Sequence, residues 1–230
     1  MTIARVRFAT LAALLALAAF YAGAHAVTRR PVPAVHPLTG RQIAGIATDA
    51  RWLDRGTREQ EEAPDSALAL VGIRAGMTVA DIGAGSGYMT MRIARMVGPS
   101  GKVYANDIQP AMLRMVQDKA KAESLTNVEI VQGLDTDARL PERAIDLALL
   151  VDVYHELRHP QEMLRSIRRS LREDGRLVLV EYRAEDPAIP IAPTHRMSIA
   201  VARLEIEAEG YRFDGVVSGL PRQHIIVFRP

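Results

Sequence analysis

The chain has no cysteine, only three lysines and a single tryptophan. The first absence excludes a disulfide framework, thiolate metal sites, a cysteine nucleophile and a lipoprotein-type cysteine anchor, and it sets no limit on compartment. An excess of one charge is also missing: 29 Lys+Arg stand against 27 Asp+Glu in 230 residues. Setting aside the first 26 residues, with Arg5 and Arg7, leaves a neutral body that offers no electrostatic ground for binding nucleic acid. What is present, 48% hydrophobic and 24% charged residues, is ordinary globular composition, enough for one domain and an appendage.

The appendage is N-terminal. Arg5 and Arg7 precede an uncharged Ala/Leu-rich run from Phe8 to Ala24, and Ala24-His25-Ala26 offers a small-x-small cleavage pattern before Val27. Residues 1–26 therefore read as a secretory signal peptide, which predicts a periplasmic or secreted body. A run of this length also lies at the lower edge of what spans a bilayer, so an uncleaved anchor with membrane association is the alternative. Arg29 and Arg30 on the far side weaken the charge asymmetry that would orient it. Residues 27–48, with three prolines between Thr28 and Gly40 and no apolar periodicity, read as an extended linker.

From Asp49 the chain alternates helix and strand. Asp49 to Arg55 and Pro64 to Val71 read as short helices. Strands are predicted at Met77–Gly83, Lys102–Ile108, Val128–Gly133, Ile145–Val153 and Leu177–Arg183, separated by helices from Tyr88, Pro110 and Pro160. The apolar runs are continuous, as in strands covered on both faces. After a helix over Thr194–Glu209, two strands near Tyr211–Ser218 and His224–Phe228 are close enough for a hairpin. The order predicts an α/β, doubly wound, mostly parallel sheet of seven strands with an antiparallel C-terminal hairpin.

Asp81-Ile82-Gly83-Ala84-Gly85-Ser86-Gly87 lies between a strand and a helix, where glycines permit close approach of backbone to a ligand and the helix start supplies free N–H donors. The spacing is G-x-G-x-G, not the dinucleotide G-x-G-x-x-G, because Tyr88 follows Gly87. With Asp81 two positions before the first glycine, this resembles the first motif of class I S-adenosylmethionine-dependent methyltransferases. The resemblance runs from about Met77 to Phe228 and implies a Rossmann-like fold with S-adenosylmethionine as cofactor. It implies that Asp81, Gly83, Gly85 and Gly87 form the cofactor loop, that Asp107 grips the ribose hydroxyls and that Ile108 lies against the adenine. An acidic residue near the adenine amino group is either Asp135 or Asp137, with Asp135 preferred. Leu150 to Arg183 is similar to the ubiquinone/menaquinone-biosynthesis type, in which a strand-end Asp, here Asp152, and a His recur; Asp152 is assigned to the cofactor.

Methyl transfer from a sulfonium needs positioning above all, and a base where the acceptor is a hydroxyl or an acidic carbon. The cleft lies beyond the carboxyl ends of the strands. That brings Asp152, Tyr154, His155 and Glu156 after the fourth strand, and Glu181 and Tyr182 near the end of the fifth, towards the acceptor. His155 is the candidate base and Tyr154 its catalytic companion; His195 starts a late helix and either reaches the cleft or lies on the surface. His155-Glu156-Leu157-Arg158-His159 spells H-E-x-x-H, but that zinc motif requires a helix, and Pro160 biases His159 away from one. No metal is expected from it. The segment from Arg51 to Asp65, within residues 49–72, is expected to form a helical lid. The acceptor is expected to be a small, apolar or quinone-like molecule. Alternatives are a protein carboxyl, since isoaspartyl methyltransferases share the Gly-Tyr after the loop, and a non-catalytic cofactor-binding envelope protein. An exported enzyme would also need a supply of a cofactor made in the cytoplasm.

Overall fold

A computed structural model describes residues 34–230. Three short helices, α1 (Ala50–Leu53), α2 (Arg58–Glu62) and α3 (Pro64–Val71), precede β1 (Thr78–Ile82), α4 (Tyr88–Val97), β2 (Lys102–Asp107), α5 (Pro110–Ala122) and β3 (Val128–Gln132). Then come β4 (Ile145–Val151), α6 (Pro160–Ser170), β5 (Leu171–Tyr182), α7 (Ile199–Glu207), β6 (Arg212–Val217) and β7 (Gln223–Arg229). Prolines open α3, α5 and α6, where the missing N–H would have had no helical partner anyway. The sheet order is β3-β2-β1-β4-β5-β7-β6, with β7 antiparallel to both β5 and β6. The doubly wound sheet and its antiparallel C-terminal pair are therefore as expected. The order reverses between β1 and β4, which opens a crevice at their carboxyl ends.

Strand β4 shows why the centre holds. Leu147 and Leu149 point to one face, among Leu68, Ile93 and Val97, while Ala148 and Leu150 point to the other, among Tyr154, Ile167 and Phe228. All four are fully buried, and each leucine contributes about 1.5–3 kcal/mol.

Three expectations about segments need correction. The turn at Gly175-Arg176 lies inside β5, which starts at Leu171: Ile145 pairs with Leu171 but Leu147 with Arg176, so Arg172–Gly175 loop out as a bulge. A side chain at Gly175 would meet the Arg172 carbonyl oxygen at 2.9 Å. Residues 34–48 are not a linker but pack on the domain. His36 is buried, Arg41 grips the buried Glu205 at 2.9 Å, and the Ala44 N–H donates to the His155 carbonyl at 3.0 Å. A segment held by partners more than a hundred residues away carries no periodic pattern of its own. The lid, finally, is shorter than expected, because α3 buries Ala67, Leu68 and Val71 in the core. The proposed signal peptide or anchor, 1–26, and residues 27–33 lie outside the described residues. Among the described residues no helix is long and apolar enough to cross a membrane.

Candidate active site

The loop between β1 and α4 turns through three left-handed glycines, Gly83, Gly85 and Gly87, at φ of 71°, 52° and 85°. At Gly83 the freedom is steric as well: a Cβ would sit 2.6 and 2.8 Å from the two methyls of Val153. The Gly85 N–H donates to Asp107 Oδ2 at 2.9 Å, and the Gln109 N–H donates to Asp107 Oδ1 at 2.8 Å. Asp107 is thus fixed at the tip of β2, facing the glycine loop, with one acceptor site of each oxygen already used. Burial raises its carboxyl above the usual range, while these N–H groups pull it back. Asp81, on β1, is buried and accepts from the Thr90 hydroxyl at 2.6 Å; desolvation lifts its pKa to about 6.

Asp81, Gly83, Gly85, Asp107 and Gln109 wall a cavity of about 430 Å³, lined also by Ile108, Asp135, Asp152, His155 and His195, whereas Gly87 faces Val116 and lies outside the lining. The structure separates Asp135 from Asp137. Asp135 lines the cavity, whereas Asp137 Oδ1 accepts from the Ser166 hydroxyl at 2.6 Å and from the Arg139 N–H at 2.8 Å.

Helices α1 and α2 cover the opening. Leu53 lies so near Gly85 that a Cβ there would be 2.8 Å from its Cδ1, and the Ser86 hydroxyl donates to Asp54 at 2.7 Å. Arg55 ties the same segment to β5, donating to Glu61 at 2.7 Å, to Glu62 at 2.6 Å and to the Tyr182 hydroxyl at 3.2 Å. Arg58, paired with Glu62 at 2.6 Å, stacks on the Tyr88 ring. None of these contacts was foreseen from the sequence, which shows only an acidic, arginine-bearing stretch.

The opposite wall is acidic and imidazole-rich. Asp152, at a left-handed φ of 54°, accepts from Gln223 at 2.7 Å through Oδ2, and its buried Oδ1 has no partner. Burial first, then the charges of Glu62 and Glu181, push its carboxyl well above the usual range. His155 is buried; its Nδ1–H donates to Glu181 Oε2 at 2.6 Å, and its Nε2 faces His195 Nδ1 at 3.0 Å. The Glu156 carboxylate accepts the Ala47 N–H at 3.2 Å through both oxygens and lies 4.0 Å from His155 Nε2.

One expectation about this wall is overturned. Tyr154 is expected with the chemistry, but a 3-10 turn over Tyr154–Glu156 sends its ring into the core, fully buried, with Arg41 over the ring at 5.5 Å. Within the H-E-x-x-H pattern, His159 caps α6 on the surface, away from His155. In its place the late His195 meets His155 and Glu156, a grouping the sequence spacing of 40 residues does not display.

A doubly wound sheet with its glycine loop and a facing carboxylate at the switch point defines a class I S-adenosylmethionine-dependent methyltransferase. Comparison with known proteins agrees: residues 73–211 match the family model described as "Methyltransferase domain", and the chain belongs to that family. Among curated proteins, the "Ubiquinone/menaquinone biosynthesis C-methyltransferase UbiE" of Pseudomonas paraeruginosa is 34% identical over 116 residues, covering 50% of this chain and 45% of that one. The Pseudomonas fluorescens protein of the same name is 33% identical over 117 residues, covering 50% and 46%. The chain thus spans about half the length of the curated relatives it matches. A solved SAM-dependent methyltransferase from Aquifex aeolicus is 27% identical with a TM-score of 0.74, covering 79% of this chain and 98% of that one. The [4+2]-cyclase SpnF shares the fold alone, at 16% identity and a TM-score of 0.61, covering 81% of this chain and 86% of that one.

Proposed function

We propose that the protein transfers a methyl group from S-adenosylmethionine to a small-molecule acceptor. The observation that carries this is the bond from the Gly85 N–H to the Asp107 carboxylate, which sets the glycine loop and the strand-end acid on one side of a covered cavity. The residues suit the cofactor: Gly83 and Gly85 leave no room for side chains, and each Asp107 oxygen keeps a free lone pair for a ribose hydroxyl. Ile108 offers an apolar face for the adenine, Asp135 an acceptor for its amino group, and Asp81 steadies the loop from β1. The partnerless Oδ1 of Asp152 suits the amino or sulfonium end.

S-adenosylmethionine, when bound, would supply a methyl carbon on a sulfonium sulfur that keeps the S–C electron pair as the acceptor takes the methyl. The protein's part is to hold the acceptor in line, exclude water with α1 and α2, and ease the loss of the acceptor's proton. His155, steadied by Glu181, is the residue proposed to act on the acceptor. A quinone-like acceptor is supported by the named relatives and by the apolar side chains Met163, Leu157 and Ile191 in the cavity wall. Delivery to or across the membrane by residues 1–26 belongs to the proposal on its sequence pattern, and cell fractionation tests it.

Calorimetric titration with S-adenosylhomocysteine, followed by transfer of labelled methyl to phenolic and quinol acceptors, tests the reaction. Asp107→Ala should weaken nucleoside binding by about tenfold to a hundredfold, the loss of one or two hydrogen bonds to a charged group. Failure of the wild-type protein to bind the nucleoside overturns the reading.

A further inference from the structure

Three metal-ligating side chains converge in the acceptor wall: His155, Glu156 and His195, whose ligand atoms all lie within 4.8 Å of one another. They come from two separate segments. His155 and Glu156 lie on the turn after β4, and His195 ends a second 3-10 turn, Pro193–His195, after β5. We propose that His155 Nε2, His195 Nδ1 and the Glu156 carboxylate hold one divalent transition-metal ion of the zinc type, whose open position faces the acceptor.

Five features carry the assignment. The two ring nitrogens face each other at 3.0 Å, and a tetrahedral ion with bonds of about 2.0–2.1 Å separates its ligands by about 3.3 Å, so the ion fits by replacing the proton between the rings. The Glu156 carboxylate stands 4.0 Å from His155 Nε2 and closes on the same point by a small side-chain movement. The supporting contacts are those of a metal site. Glu181, itself fully buried, takes the His155 Nδ1–H at 2.6 Å, which leaves Nε2 as the lone-pair nitrogen, and the Ala47 N–H orients Glu156. Two imidazoles and one carboxylate form a three-ligand set that suits a borderline ion and leaves a position for a bound molecule. All three side chains line the cavity that also holds the glycine loop.

The ligand at the open position is an acceptor bearing an oxygen or nitrogen donor, of which a phenol or hydroxyquinone is the simplest case. Bound to the ion, such a group is held beside the methyl donor and loses its proton to solvent at lower pH than it does free, so His155, with Nε2 on the metal and its Nδ1–H on Glu181, acts on the acceptor through the ion and not as a proton acceptor. This consequence deepens the methyl-transfer reading and rests on it; the metal site itself does not.

The untagged full-length chain, stripped with chelator, is titrated with Co(II) and with Zn(II), following cobalt d–d absorption and metal content. One ion per chain is expected, with visible bands of a four- or five-coordinate site. His195→Ala and Glu156→Gln should each weaken Co(II) binding at least tenfold, and Glu181→Gln should do so through His155. Circular dichroism confirms that each variant is folded, and Glu156→Gln, which keeps shape and amide contacts, stands in should His195→Ala fail to fold. S-adenosylhomocysteine should bind His195→Ala within about twofold of wild type, which separates loss of the metal from loss of the cofactor site. Absence of stoichiometric metal uptake by the wild-type chain, or uptake unchanged in folded His195→Ala and Glu156→Gln, overturns the proposal and leaves the two rings as a hydrogen-bonded pair. Failure of nucleoside binding with metal uptake intact overturns the methyl-transfer reading instead.

Discussion

Substituting alanine for Gly83 tests the geometry at the heart of the cleft. Two penalties act there. At φ of 71° an L-residue is strained, by about 1–2 kcal/mol. The new methyl would also stand 2.6 and 2.8 Å from the Val153 methyls, and such overpacking typically adds about 1–3 kcal/mol. Gly83→Ala should therefore destabilise the fold by about 2–5 kcal/mol. Gly40 supplies the control, since its φ is 69° but a Cβ would meet nothing within 4 Å. Gly40→Ala should cost only the backbone part. Val153→Ala alone removes two methyls from a half-buried site and should cost about 1–2 kcal/mol. In the double variant the overlap is gone, so Gly83→Ala with Val153→Ala should be more stable than the sum of the singles by about 1–3 kcal/mol. Urea unfolding at pH 7 measures all four variants against the wild type. A cycle additive to within about 0.5 kcal/mol, or a Gly83→Ala as mild as Gly40→Ala, would refute the close approach of β4's end to the loop.

Two other perturbations probe the flanks of the site. Asp81, whose buried carboxyl titrates near 6 against an ordinary 3.8, keeps its proton while the unfolded chain has released it. Stability therefore falls as pH rises through that window, by about 3 kcal/mol from this group, and remains lower above it. Asp81→Asn should show a correspondingly smaller loss between pH 4 and pH 7 in urea midpoints, and an equal loss in both proteins would sink the argument. Arg41→Ala would leave the fully buried Glu205 without its guanidinium and should destabilise by about 3–5 kcal/mol, measured the same way; a change below 1 kcal/mol would show that residues 34–48, the N-terminal strap, are not held by this pair.

The glycine-loop side of the cleft is legible in the sequence because it is nearly contiguous. Asp81 and the three glycines fall within seven residues, and Asp107 ends the very next strand, so local spacing encodes the arrangement directly. The acceptor half is written in pairings instead. His155 meets Glu181 only because Val151 pairs with Val180 in the β4–β5 register, which brings the two strand ends side by side. His195 arrives from a loop with no periodicity. Tyr154 was misplaced for a related reason: after a strand, the next side chains depend on whether the chain stays extended, and the 3-10 turn points Tyr154 inward and its neighbour His155 to the cavity. Residues 34–48 were misread because proline and the lack of an apolar pattern signal an absence of helix and strand, not an absence of packing.

This division bears on where specificity resides. A fold shared with a [4+2]-cyclase at 16% identity cannot dictate the reaction, so the chemistry must come from side chains grafted at the cleft. Here the grafted wall draws on four segments: Ala47 from the strap, His155 and Glu156 after β4, Glu181 at the end of β5, and His195 beyond it. Arg41, which locks the strap to α7, also donates to the His155 carbonyl at 3.4 Å, so the strap holds the backbone of the residue proposed to act on the acceptor. A strap that merely covered the domain would have no reason to meet it there. Damage at Arg41 should therefore reach the imidazole cluster before it reaches the glycine loop, and the acceptor side should fail while nucleoside binding survives.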